Sequence, residues 1–250
     1  MLAVDIGNTF TRIAAFSGDT VRDRRSFRTR ELEASDLVVS FSELAALADF
    51  PSVWVASVVP DANAALDSAI GKAGLARRFI QPDRDNIIRH RLKTPATTGA
   101  DRLLSALSAG WRHFSGAGGG NGYVVVQCGS AATVDIVDRE GVFRGGYILP
   151  GPSLWLSGLA RAAQLPDLSA GFPDWEASSP GDNTMDAILR GLAVGLPAAV
   201  AAACRQAGAE APVAVTGGWG EIAAAAIGRN SIFDPELLLH GIRLFAERFL

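Results

Sequence analysis

Cysteine and histidine are both scarce in this chain of 250 residues. The only cysteines, Cys128 and Cys204, lie far apart and in no metal-ligand spacing, so we expect neither a disulfide framework nor a structural zinc site. The three histidines, His90, His113 and His240, share no motif. They are therefore expected to be packing or surface residues, and no Ser-His-Asp triad is predicted.

A strong charge of either sign is also missing. Lys and Arg number 23 against 26 Asp and Glu, which gives a formal net charge of -3. A nearly balanced surface has no basic patch for a nucleic acid, so no nucleic-acid partner is expected. We find no basic segment leading into an apolar run at the start, and no uncharged apolar run of about 18 residues. These absences predict a cytoplasmic protein with no membrane partner.

Apolar residues make up 48% of the chain, which predicts a globular protein with a large core. At this length it could form one large domain or two smaller ones. The hydrophobic pattern predicts strands over 2–5, 11–16, 20–27, 52–59, 123–128, 131–137, 142–148 and 213–215. It predicts helices over 61–73 with Asp61 as N-cap, over 99–114, over 183–207 with one helix before it, and then near 222 and over 237–249.

The most informative signal is an internal repeat. Residues 4–11 (VDIGNTFT) align with residues 126–133 (VQCGSAAT), at an offset of 122. Each copy predicts a strand, a glycine turn with small hydroxyl or amide residues, and a second strand that leads into a third. We therefore predict two similar domains over 1–115 and 116–250, with the glycine-rich run 116–122 as a linker or wide turn.

The two glycine turns have the composition of phosphate-binding turns. A glycine between strands lets the backbone approach a ligand closely, and exposed N–H groups there can donate to phosphate oxygens. Side chains that could add donors are those of Asn8, Thr9, Thr11 and Ser130. Asp5, which ends the preceding strand, could orient a metal ion. One such turn alone is explained equally well as an ordinary β-hairpin, but the duplication favours phosphate binding.

Other nucleotide-binding motifs are absent from the sequence. It contains no G-x-x-x-x-G-K-[ST], and the run 116–122 lacks the G-x-G-x-x-G spacing. A third small-residue turn, Thr216-Gly217-Gly218-Trp219-Gly220, follows an apolar strand and opens a helix. It is either a simple strand-to-helix connection or a flat glycine surface for a nucleoside.

The segment Gly99-Ala100-Asp101-Arg102 begins a predicted helix. By spacing alone the simpler explanation is that Asp101 complements the helix dipole and Arg102 is solvated. The functional alternative is a carboxylate general base beside a guanidinium that binds an anionic substrate group.

Taken together, these motifs resemble the type III pantothenate kinases, members of the actin-like and sugar-kinase-like ATPase superfamily. The resemblance spans essentially the whole chain and keeps the order of the motifs. The matching segments are 5–9, 99–102, 129–135, 145–151, 183–191, 216–218 and 234–241.

The resemblance implies an α/β fold of two similar ribonuclease-H-like or actin-like domains. Each domain would start with a three-stranded β-meander followed by alternating helices and strands, with the active site in the cleft between the domains. The resemblance also implies a homodimer.

The activity implied is ATP-dependent phosphorylation of pantothenate to 4′-phosphopantothenate, the first step of coenzyme A biosynthesis. Asp101 would be the catalytic base that takes the proton from the substrate hydroxyl. Substrate-binding residues would be Gly99, Ala100, Asp101, Arg102 and Thr184. ATP-binding residues would be Asp5, Ile6, Gly7, Asn8, Thr9, Phe10, Thr11, Arg12, Gly129, Ser130, Thr216, Gly217 and Gly218.

The implied cofactors are ATP, Mg²⁺ or another divalent metal at Asp5, and a monovalent cation, K⁺ or NH₄⁺. Two positions depart from the family pattern. Gln127 stands where the family usually has the Asp of its monovalent-cation site, and Leu92 falls where a substrate-contacting Tyr is frequent. Gln127 leaves open an impaired homologue that binds nucleotide or pantothenate as a regulator. Leu92 leaves open a kinase for another small alcohol.

Overall fold

A computed structural model describes residues 1–114, 122–163, 173–176, 179–208, 210–228 and 230–249. Most of the predicted linker, residues 116–121, lies outside this part of the chain. The strands are β1 (Leu2–Ile6), β2 (Phe10–Ser17), β3 (Thr20–Arg28), β4 (Ser52–Ser57), β5 (Ala76–Phe79), β6 (Tyr123–Cys128), β7 (Ala131–Val137), β8 (Phe143–Pro150), β9 (Val213–Gly217) and β10 (Ser231–Phe233). The helices are α1 (Ala34–Ala45), α2 (Pro60–Lys72), α3 (Ala100–Ala109), α4 (Pro152–Ala163), α5 (Thr184–Arg205), α6 (Gly220–Ile227) and α7 (Leu237–Ala246).

The chain forms two compact units, Met1–His113 with Glu236–Leu250, and Phe114–Pro235. Each unit contains one five-stranded sheet, in the order β3-β2-β1-β4-β5 or β8-β7-β6-β9-β10. In both, the first three strands form an antiparallel meander and the last two run parallel to the first. The repeat seen in the sequence is therefore a repeat of topology, and the predicted α/β fold of two similar meander-led units is confirmed.

The central strands are buried because helices pack against them. In the first unit, β1 and β2 form a core with Leu37 and Phe41 of α1 and Leu66 of α2. In the second unit, β6 and β7 pack on Leu192 and Leu196 of α5. Such strands are continuous apolar runs, which is why the sequence predicts them well. The outer strand β3 instead alternates half-buried and exposed residues and carries arginines, as an unpaired sheet edge requires.

Several local predictions need correction. The sequence predicts neither β5 nor β10, because each has only three or four residues and β5 reads ARRF. The predicted helix 99–114 ends as α3 at Ala109 and continues as a π-helical turn, which leaves Trp111 55% exposed. Asp61 is not the N-cap of α2, because Val59 occupies that position and Pro60 is the first helical residue.

The C-terminal helix belongs to the first unit, whereas the sequence places all of 116–250 in the second domain. Helix α7 packs against α3 so closely that a Cβ on Gly241 would lie 2.2 Å from the carbonyl oxygen of Leu104. Hydrophobic periodicity identifies α7 as a helix but does not say which sheet it covers.

Helix α5 bears on the expectation that the protein has no membrane partner. It has 22 residues, and among the described residues it is the one helix long and apolar enough to cross a membrane. Leu192, Leu196 and Val200 lie in the core of the second unit. A core helix passes the same test of length and composition, so this finding is weak evidence for a membrane span.

We predict that Gly241→Ala destabilises the protein by about 1–3 kcal/mol, because the added methyl meets backbone in the contact between α7 and α3. Gly71→Ala, in α2, is the matched control, since its new Cβ meets only the Arg77 side chain at 3.8 Å. That substitution should change the free energy of unfolding by less than about 1 kcal/mol. Urea denaturation of both variants tests this, and equal stabilities would contradict it.

Candidate active site

Asp5 lies near the end of β1, the middle strand of the first sheet, and its side chain is only 8% exposed. The antiparallel register places Arg12 of β2 directly opposite, and the guanidinium lies 3.3 Å from the carboxylate. Burial raises the pKa of Asp5 to about 7, the Arg12 charge opposes this shift, and the Asp101 charge adds to it. The structure therefore brings Asp5 and Asp101 within electrostatic reach of each other in one unit.

The first glycine turn connects β1 to β2. The N–H of Gly7 donates to the carbonyl of Phe10 at 3.0 Å, and Asn8, Thr9 and Phe10 are exposed. Two predicted members of this site are placed differently. The Thr11 side chain is fully buried with its hydroxyl 3.1 Å from that of Thr29, and the Ile6 side chain lies in the core. These two side chains therefore do not reach the exposed face of the turn.

The segment 99–102 forms the start of α3. Gly99 is the N-cap residue, Asp101 lies in the first turn, and Ala100 is buried. A Cβ on Gly99 would lie 2.2 Å from Oδ1 of Asp101, so the carboxylate folds back over this glycine. The helix N-terminus favours a negative charge at that point. Arg102 is half-buried next to it.

The second glycine turn connects β6 to β7 and is one residue shorter. Gly129 donates its N–H to the carbonyl of Ala131, whereas Gly7 reaches Phe10. The strand register then places Thr133 opposite Gln127, as Arg12 lies opposite Asp5. In the sequence Thr133 aligns with Thr11, but in the structure its position corresponds to that of Arg12, because the second turn is one residue shorter. Gln127 and Thr133 form an uncharged pair, in which the Thr133 hydroxyl donates to Oε1 of Gln127 at 3.4 Å.

Residues 216–218 lie beside this second turn. Strand β9 runs parallel to β6, with Thr216 beside Gln127 and Gly217 beside Cys128, so both strands end at the same edge of the sheet. Gly217 has φ 98° and a Cβ there would lie 2.4 Å from the Cys128 carbonyl oxygen, so only glycine fits. Nothing lies within 4 Å of a Cβ built on Gly218, which leaves that surface open.

Two further predicted positions lie on other elements of their units. Thr184 is the exposed first residue of α5, and Asn183 caps that helix by accepting from the Asp186 N–H at 3.0 Å. Leu92 is half-buried in the loop before α3.

Among the described residues there is no group of three or more His, Cys, Asp or Glu that could hold a metal ion. Within the described part of the chain, the carboxylate, thiol and imidazole groups therefore form no metal site made of protein ligands alone. A single carboxylate such as Asp5 does suit Mg²⁺, which is often bound through one or two carboxylates together with substrate phosphates.

Two contacts at the turns involve residues that the sequence does not predict as functional. Thr29, which follows β3, donates a hydrogen bond to the Gly7 carbonyl in the first turn. Trp219 donates a hydrogen bond to the Gly129 carbonyl in the second turn. No sequence motif includes Thr29. Trp219 lies within the third small-residue turn, but the composition of that turn does not show that the indole N–H binds another turn.

Comparison with known proteins identifies relatives along the whole chain. A family model of the type III pantothenate kinases matches residues 1–206. The chain is 33% identical to a type III pantothenate kinase of Thermus thermophilus, with 99% of each chain covered. It is 34% identical to the type III pantothenate kinase of Chlorobaculum parvum, with 97% of this chain and 92% of that one covered.

Solved structures with the same fold are more distant in sequence. A Baf family protein from Campylobacter jejuni superposes with a TM-score of 0.64 at 18% identity, covering 99% of this chain and 98% of that one. A ROK family glucokinase from Streptomyces griseus, solved with glucose and AMPPNP, gives 0.51 at 14% identity and covers 99% and 100%. These likenesses show the fold.

We predict that Asp5→Asn changes how stability depends on pH. A carboxyl with a pKa near 7 when folded and 3.8 when unfolded favours folding at low pH, and this contribution is lost as the pH rises through 7. The stability of the parent protein relative to Asp5→Asn should fall by about 3 kcal/mol between pH 5 and 8. Urea denaturation at both pH values measures this difference. Parallel pH profiles for the two proteins would contradict the prediction, and the exposed Asp36→Asn is the control.

Proposed function

This chain belongs to the type III pantothenate kinase family, and from that membership we propose that it transfers the γ-phosphate of ATP to pantothenate. The product would be 4′-phosphopantothenate, on the route to coenzyme A. The structural observation that supports this function is that Asp101, at the start of α3, lies in the same unit as Asp5 and within electrostatic reach of it.

In the proposed reaction the carboxylates of Asp101 and Asp5 have different roles. Asp101 accepts the proton of the pantothenate hydroxyl as that oxygen attacks the γ-phosphorus and the bond to ADP breaks. Its position at a helix N-terminus favours the negative charge that a general base requires. Asp5 would hold Mg²⁺, which neutralises phosphate charge when bound. Arg12, half-exposed beside Asp5, would add a positive charge for the phosphates.

The remaining residues serve binding. We assign Arg102 to the pantothenate carboxylate, because a guanidinium forms strong charge-assisted bonds to a carboxylate. Thr184, exposed at the start of α5, would add a hydroxyl to substrate binding. The open glycine surface at Gly217 and Gly218 would receive the adenosine, and Ser130 the phosphates.

We further propose that the protein acts as a cytoplasmic homodimer. Exposed apolar side chains on α5 support this proposal, because Val194 is 70% exposed and Met185 is 40% exposed on a helix that is otherwise rich in small residues. Sedimentation velocity would test it.

We predict that Asp101→Asn lowers kcat for pantothenate phosphorylation by about 10²–10⁴-fold, because the base is lost. The affinity for ATP should remain. The matched control is Asp36→Asn, which removes the same charge from the first turn of α1. A coupled assay for ADP release, with calorimetric titration of ATP, measures both properties. Near-normal turnover by Asp101→Asn would exclude the proposed base, and nucleotide binding without any turnover by the parent protein would favour a regulator.

The Gln127–Thr133 pair carries no charge, which leads to a prediction about monovalent cations. We expect the turnover number to change less than about threefold among K⁺, NH₄⁺ and Na⁺, because a neutral amide oxygen binds a cation more weakly than a carboxylate. Gln127→Asp should introduce stimulation by K⁺. A strict K⁺ requirement in the parent protein would contradict this prediction.

A further inference from the structure

The first glycine turn is held from behind by a single residue. Thr29 is 8% exposed and directly follows β3. Its hydroxyl donates to the carbonyl of Gly7 at 2.6 Å, and its backbone N–H donates to the carbonyl of Thr9 at 3.0 Å. Thr29 therefore fixes two carbonyls of the turn on one side.

The second turn is held in the same way by two residues. Gly151 directly follows β8, the strand equivalent to β3, and donates its N–H to the carbonyl of Ser130 at 3.0 Å. A Cβ on Gly151 would lie 2.3 Å from the Gly129 carbonyl oxygen, so no side chain fits there. The side-chain bond is supplied by Trp219 instead, whose Nε1–H donates to the Gly129 carbonyl at 3.2 Å.

These bonds determine where the amide N–H groups of the turns point. In a trans peptide the C=O and N–H point in opposite directions, and the part of the chain that the structure describes has no cis peptide bond. Fixing the carbonyl of Gly7 behind the turn thus directs the N–H of Asn8 to the other side. Among the residues that the structure describes, this N–H has no hydrogen-bond partner. The hydrogen bond from the Thr29 N–H to the Thr9 carbonyl likewise directs the N–H of Phe10 away from Thr29.

We propose that Thr29 and Trp219 are positioning residues for nucleotide binding, because each of them keeps the N–H groups of its own glycine turn oriented to donate to a phosphate. The inference rests on the proposed function only in taking ATP as the ligand. Without the bond from Thr29, the peptide after Gly7 is free to rotate, since glycine tolerates both orientations, and rotation would present a carbonyl oxygen to a phosphate. Preorganised donors avoid that repulsion.

The first test uses substitutions at Thr29. Thr29→Val keeps the shape and removes the hydroxyl, so the Kd for ADP and for AMPPNP and the KM for ATP should rise about tenfold. The KM for pantothenate should stay within about twofold of the parent value, which mere destabilisation of the fold would not predict. Thr29→Ser restores the donor and should restore nucleotide affinity. Thr20→Val, at the exposed opposite end of β3, is the control and should change nothing.

The second test uses Trp219, which is 6% exposed and stacks on Trp175 with ring centroids 6.2 Å apart. Trp219→Phe keeps an aromatic ring and removes the N–H donor, so the same Kd values should rise about tenfold. Trp175→Phe changes the stack but keeps the hydrogen bond, and should leave those values within about twofold of the parent values. If Thr29→Val does not fold, Trp219→Phe decides the proposal by itself.

The readouts separate this inference from the proposed function. Calorimetric titration with ADP and AMPPNP needs no pantothenate, so loss of affinity in Thr29→Val supports the positioning role even if the parent protein phosphorylates another alcohol. Unchanged nucleotide affinity in both Thr29→Val and Trp219→Phe would overturn it, as would failure of Thr29→Ser to restore binding. A parent protein that binds neither nucleotide would overturn both proposals.

Discussion

The burial of the Asp5 carboxyl is the constraint on which the first unit's site depends. A carboxylate costs free energy in a buried place unless an opposite charge or hydrogen bonds compensate for it. The antiparallel register supplies that charge by placing Arg12 across from it on β2. Because β1 is the middle strand of the sheet, the carboxyl also lies where α3 brings Asp101 near. The electrostatics of the site therefore follow from the position of one strand.

The second unit repeats the topology but not the charge. Gln127 and Thr133 occupy the places of Asp5 and Arg12, and they form a neutral contact in place of an ion pair. At the same edge of the sheet, Gly217 and Gly218 have no side chains, so a ligand could approach the backbone closely there. At these equivalent positions one unit thus has an ion pair and the other a neutral contact.

The meander explains why the residue after the third strand can hold the first turn. In three consecutive antiparallel strands, the end of the third strand lies beside the start of the second. The turn between the first two strands is therefore always next to the residue that follows the third. Thr29 and Gly151 occupy that place in the two units. The same topology thus provides both the glycine turn and the residue that supports it.

The sequence by itself determined the buried strands, the three-stranded start of each unit, and the order of the motifs that place this chain in its family. Each of these depends on residues close together in the chain, whose apolar runs and glycine turns act locally. Only the tertiary structure decided that α7 covers the first sheet, that the second turn is one residue shorter, and that Thr29 and Trp219 bond the turns. These features depend on hydrogen bonds and packing between residues distant in sequence, such as Trp219 and Gly129, and no local pattern records such a pairing.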